Sequence, residues 1–99
     1  MNPPLFRATL RIGADHPALP GHFPGQPVVP GVVLLDAVAA ALERWRGVRV
    51  AALTQVKFLQ PLLPEQGAEL VLDGDGKSVR FSIVSGAVTI ASGSVEAAA

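Results

Sequence analysis

The sequence predicts a single α+β domain, and three observations carry that reading. Residues 5 to 12 alternate with period two, Leu5, Arg7, Thr9 and Arg11 against Phe6, Ala8, Leu10 and Ile12, which is the pattern of a strand. Residues 31 to 46, GVVLLDAVAAALERWR, make one long apolar run with Pro30 at its start and Gly47 at its end, the marks of a helix. After Gly47 the chain returns to strand-like segments separated by Gly, Asp and Pro turns. One long helix with mostly antiparallel strands before and after it, in 99 residues, is an α+β arrangement in which the sheet wraps around the helix.

The first strand, Leu5 to Ile12, is followed by a stretch from Gly13 to Gly31 that holds five prolines and four glycines. That content excludes regular structure, yet the stretch lacks the Ser, Glu and Lys of a disordered linker, so it reads as a shaped loop, and ordered loops of this length are usually functional. Pro24, Pro27 and Pro30 fix three φ angles, while Gly21, Gly25 and Gly31 remove side chains where a backbone or ligand can approach closely. The helix then runs to Gly47, with Arg44 and Arg46 in its last turn, where cations complement the dipole. It is apolar nearly all round, so it is expected to be covered on every side, with Asp36 isolated in that apolar surface. A carboxylate there has to be paired, open to a cavity or protonated.

Val48, Val50, Ala52, Thr54, Val56 and Phe58 are expected on one face of a long second strand, with Arg49, Gln55 and Lys57 on the other and Pro61 and Pro64 ending it. Gly67 to Asp73 follows as a strand. Asp73 to Lys77, DGDGK, is a hairpin turn into a strand through Val79, Phe81 and Ile83, and Ser85-Gly86 turns into a last strand reaching about Val95, with a frayed alanine tail.

Eight basic and eight acidic residues give zero formal net charge, which leaves no electrostatic footprint for nucleic acid. No cysteine is present and the two histidines are too few for a metal site built on histidine alone, so neither a metal nor a cofactor is expected. No apolar stretch approaches a membrane span and the N-terminal residues lack the apolar run of a secretory signal, so the expectation is a cytoplasmic protein without a membrane partner. A chain this short buries only about 60 to 70% of its unfolded surface, and its positive mean hydropathy favours an oligomer.

Several motifs carry no chemistry. Gly76-Lys77-Ser78 mimics the end of a phosphate loop, but Val71 stands where the pattern needs glycine. Asp73 and Asp75 mimic a calcium loop, but Lys77 occupies the next ligand position. His16 reads as an ordinary loop residue, and Glu65, Glu69 and Glu96 as solvated surface. His22 and Asp36, fourteen residues apart, remain. A neutral histidine can accept a proton near neutral pH, a carboxyl against an apolar wall can donate one, and the free amide of Gly31 at a helix start can polarise a carbonyl. Elimination of water from a β-hydroxy carbonyl compound needs a base, an acid and an oxyanion donor of this kind.

These residues also carry a resemblance. GHFPGQPVVPGVVLLDA, about a sixth of the chain, resembles the active-site signature of the β-hydroxyacyl-acyl carrier protein dehydratases, and VKFLQPLLPEQ resembles the strand and turn that follow the helix in that family. The resemblance implies a hot-dog fold, an antiparallel sheet around one central helix, and a hydro-lyase that converts β-hydroxyacyl thioesters to trans-2-enoyl thioesters. It implies that His22 is the base at the α-carbon, that Asp36 protonates the departing hydroxyl, and that Gly31, with Val32 beside it, is the amide donor to the thioester oxygen. Phe23, Pro24, Gly25 and Pro30 match the substrate loop. Aspartate at the acid position is similar to the branch that also isomerises the double bond, and the short chain resembles the small dehydratases of aryl polyene pathways. Ala40 departs from the pattern, since the family usually places a glutamine one turn after the acid.

The implied partners are an acyl carrier protein and a second copy of the chain, with sheets joined edge to edge and each site shared between His22 of one chain and Asp36 of the other. Arg44, Arg46, Arg49 and Lys57 are candidates for a basic rim that meets the carrier. Val33, Ala37 and Phe58 are candidates for the pocket floor. A non-catalytic acyl-binding scaffold and a hot-dog thioesterase are the alternative functions.

Overall fold

The computed structural model describes residues 5–19 and 28–98. The chain runs β1 (Leu5–Leu10), α1 (Gly31–Arg46), β2 (Val50–Phe58), β3 (Ala68–Asp73), β4 (Ser78–Ser85) and β5 (Val88–Ala97). The strands form one sheet in the order β1-β3-β4-β5-β2, and every pairing in it is antiparallel. The fold is α+β, a helix packed on one face of a five-stranded sheet, as the sequence predicts.

Local chemistry sets the ends of the elements. Pro30 caps the helix in an extended conformation, ψ 146°, and Gly47 ends it in the left-handed region at φ 68°, where its amide donates to the Glu43 carbonyl at 2.8 Å. Gly74, at φ 136°, lets the β3–β4 hairpin close, because a Cβ there would stand 2.7 Å from the Ser78 carbonyl oxygen.

The helix presents Val33, Leu34, Val38, Ala41 and Leu42 to the sheet. Facing them, Leu70 and Leu72 of β3, Val79, Phe81 and Ile83 of β4 and Ile90, Ala91 and Val95 of β5 are all buried. Each large aliphatic side chain so covered contributes about 1.5 to 3 kcal/mol of burial free energy.

Three expectations are corrected. The helix is covered on one side only: Val32, Asp36, Ala40 and Glu43, spaced three or four residues apart, form a stripe exposed along its length. Asp36 therefore faces outward from the protomer.

The strict alternation expected in β2 is broken by register shifts at 50/52 and 53/55. Leu53 pairs with buried Val95 while Ala52 pairs with Glu96, so Leu53 takes the core-side position that alternation assigns to Ala52 and Thr54. Gly93 allows this close approach, since a Cβ there would meet the Gln55 carbonyl and the Phe81 ring.

The alanine tail is not frayed where it is described. β5 continues to Ala97, which is 4% exposed, and the Ala97 and Ala98 amides donate to the Lys77 and Arg49 carbonyls at 2.7 and 2.8 Å.

Candidate active site

The helix start supplies the first part of the site. Among the described residues no side chain caps α1, and its first turn holds no acidic residue, so no described group offsets the positive end of the dipole. The Pro30 carbonyl accepts the Val33 amide at 3.0 Å, whereas no described backbone carbonyl accepts from Gly31 or Val32. Gly31 also lies under the Phe58 ring: a Cβ on it would stand 2.6 Å from Cζ. Only glycine fits with the ring in that position.

Two sets of bonds fix this corner. The Val29 amide donates to the Leu62 carbonyl at 2.8 Å, and the Leu59 and Gln60 amides donate to the Ile90 carbonyl at 2.8 and 3.2 Å. Beside the helix start, Val28, Val29, Leu34, Phe58, Leu59 and Leu62 line most of an apolar cavity of about 220 Å³. Of the three residues expected at a pocket floor, Phe58 lines it, while Val33 is buried beneath the helix and Ala37 is half-buried.

Asp36 lies one turn beyond Val32 on the exposed stripe and makes no hydrogen bond or ion pair with another described residue. From Gly31 it is about 7.5 Å along the helix axis. The described residues of a single protomer leave the carboxyl exposed. His22, with Phe23, Pro24 and Gly25 of the expected substrate loop, lies outside the described residues.

The four expected docking cations are not brought together. Arg44 and Arg46 flank the stacked rings of Phe6 and Trp45, each guanidinium over one ring at 5.8 and 5.5 Å, and Arg49 follows just beyond Gly47. Lys57 sits at the far end of β2, paired with Ser92 and about 26 Å along the strand from Arg49. The other four cations each pair with a carboxylate: Arg7 with Glu69, Arg11 with Glu65, Lys77 with Glu96 and Arg80 with Asp73. Among the described residues Arg44, Arg46, Arg49 and Lys57 have no such pairing, and Arg46 Nη1 is shielded from solvent without a hydrogen-bond partner.

The Glu65 side chain is exposed, as expected of solvated surface, and it also pairs with Arg11 and accepts the Ala14 amide, while the Glu65 amide donates to the Ile12 carbonyl. Nothing in the sequence around it signals this. A groove of about 390 Å³ on the opposite face of the sheet is lined by Gln55, Lys57, Asp73, Arg80, Ser82 and Ser92 among others; its Asp73 carboxylate is paired with Arg80, and neither Gly31 nor Asp36 lines it. No described helix is long and apolar enough to cross a membrane.

Comparison with known proteins decides the family. The family model described as ApeI dehydratase matches residues 4–94. The chain belongs to the ApeI-like dehydratase family. Among curated relatives, a 3-hydroxyacyl-[acyl-carrier-protein] dehydratase FabZ from Haemophilus influenzae is 29% identical over 95 residues, covering 86% of this chain and 64% of its own length. A FabZ of the same description from Thermus thermophilus is 35% identical over 80 residues, covering 71% and 55%. The chain thus spans about half to two-thirds of the length of these relatives.

Among solved structures, an uncharacterized protein from Erwinia carotovora subsp. atroseptica superposes with a TM-score of 0.79 at 31% identity, covering 95% of this chain and 82% of that one. The ApeI:P dehydratase heterocomplex from Xenorhabdus doucetiae gives 0.80 at 24% identity with full coverage of both chains, a likeness of fold. This ApeI-like family member has the hot-dog fold.

Proposed function

We propose that this chain removes water from β-hydroxyacyl thioesters, carried on an acyl carrier protein or coenzyme A, to give trans-2-enoyl thioesters in fatty acid or polyene-type biosynthesis. One observation carries the reading: α1 opens on amides at Gly31 and Val32 that no described backbone carbonyl accepts, and Asp36 stands one turn from Val32 on the same open side. Family membership gives that arrangement its chemistry.

In the proposed reaction His22 takes the proton from the α-carbon. Negative charge then develops on the thioester oxygen, where the Gly31 amide and the helix dipole stabilise it. The Cβ–O bond breaks as Asp36 donates its proton to the hydroxyl, water leaves and the electron pair closes the double bond. Transfer of the proton from His22 back to Asp36 restores the enzyme. A base and an acid used together give a rate that falls on both sides of a pH optimum.

The site is completed by a second copy. The exposed stripe of Val32 and Asp36, and the open edge of β2 with Leu53 half in solvent, favour a twofold partner that covers Asp36 and brings it to the other chain's His22. The cations without acid partners at the C-terminal end of α1, Arg44, Arg46 and Arg49, favour an acidic carrier there.

Incubation with a β-hydroxyacyl thioester tests the function. Enoyl thioester without free thiol is the expected result. Free thiol identifies a thioesterase, and unchanged substrate identifies a non-catalytic subunit.

A further inference from the structure

Glu65 is the one non-glycine among the described residues with a positive φ, at 66°. Glycine adopts that conformation freely and a residue with a Cβ does not. A glutamate there calls for a contact that glycine lacks, and its carboxylate makes two. Oε2 accepts the Ala14 amide at 2.8 Å and Oε1 pairs with Arg11 at 3.1 Å, while the Glu65 amide donates to the Ile12 carbonyl at 2.8 Å. The ion pair is half-exposed and weak, so the Ala14 bond is the part of the side chain's contact that fixes backbone.

The place of these bonds gives them meaning. They fasten residues 11 to 14, where β1 ends and the long loop begins. From there the His16 amide donates to the Gly13 carbonyl and the Leu19 amide to the His16 carbonyl, both at 3.0 Å, and the Ala18 amide donates to His16 Nδ1 at 3.0 Å. The two turns end at Leu19, which is 5% exposed. The other root of the loop, at Val29, is bonded to Leu62, three residues before Glu65. The β2–β3 connection thus holds both roots of the loop whose sequence contains His22.

We propose that Glu65 is a positioning residue, which sets the entry of that loop and through it the catalytic base; this rests on the dehydratase reading above. Glu65→Gly relieves the backbone and removes the carboxylate, whereas Glu65→Gln keeps an acceptor for the Ala14 amide. In Glu65→Gly the melting temperature holds or rises while kcat falls about tenfold or more with KM within about twofold of wild type, because small displacements of a reacting group cost rate more than binding. Glu65→Gln returns kcat to within about threefold of wild type.

Hydrogen exchange of the amides from 14 to 19, which needs no activity, is faster in Glu65→Gly and not in Glu65→Gln. A folded Glu65→Gly protein with wild-type kcat and wild-type exchange overturns the proposal. Should the wild-type protein form no enoyl product, the functional reading fails, and the exchange rates alone then decide whether Glu65 holds the loop: faster exchange supports it and unchanged exchange overturns it.

Discussion

Gly31 shows how a missing side chain decides local packing at the helix start. Its missing Cβ leaves room for the Phe58 ring, and its amide opens the helix. Gly31→Ala should therefore lose about 1 to 3 kcal/mol of stability in denaturant unfolding through overpacking. Adding Phe58→Ala should recover part of that loss, and a second change that recovers nothing contradicts the contact. Asp36→Asn should fold as wild type, since the side chain is exposed in the protomer, and should lose about 10²- to 10⁴-fold in rate if it is the acid. Wild-type rate in the folded variant contradicts that role. At this scale the glycine at 31 was legible, because it follows Pro30 and opens the apolar run of the helix. The outward direction of Asp36 and the strained backbone of Glu65 were not, because both depend on how distant segments meet: the sheet covers one side of α1, and residues 12 to 14 come back to the β2–β3 connection.

At the scale of elements, the bounds of α1 were legible from Pro30 and Gly47, and the β3–β4 and β4–β5 hairpins from their glycines, since each is a local stop signal. The irregular register of β2 was not, because it answers to Gly93 and Phe81 on other strands. Neither was the hydrogen-bonded course of Ala97 and Ala98, which rests on carbonyls of Lys77 and Arg49. Leu42, fully buried between helix and sheet, anchors the packing of these elements. Leu42→Ala should cost about 2 to 5 kcal/mol by chemical denaturation, and a loss under about 1 kcal/mol would contradict the packing described. At the helix end, Arg46→Glu together with Arg49→Glu should weaken the apparent affinity for an acyl carrier protein at low salt and less so at high salt. Unchanged affinity at low salt removes the docking role. Lys57, at the other end of β2, is the control and should have a smaller effect.

The described residues form one helix on one sheet, with Asp36 and Glu43 on the outward stripe of the helix and β2 at an edge of the sheet. The described residues of the protomer leave Val32 and Asp36 exposed, which is the ground for proposing that the acid works in an assembly of two chains. Leu53→Glu, which puts a charge on the exposed edge strand, should convert a dimer to monomer by light scattering and abolish dehydration with it; an active monomer contradicts the shared site. The most direct measurement is complementation. His22→Ala and Asp36→Ala proteins, each inactive, are unfolded, mixed in equal amounts, refolded together and assayed for enoyl thioester. Random pairing makes about half the dimers mixed, each with one intact site and one doubly broken site, so about a quarter of wild-type activity should return. A refolded mixture that stays inactive at every ratio, while refolded wild type is active, would contradict a site shared between two chains.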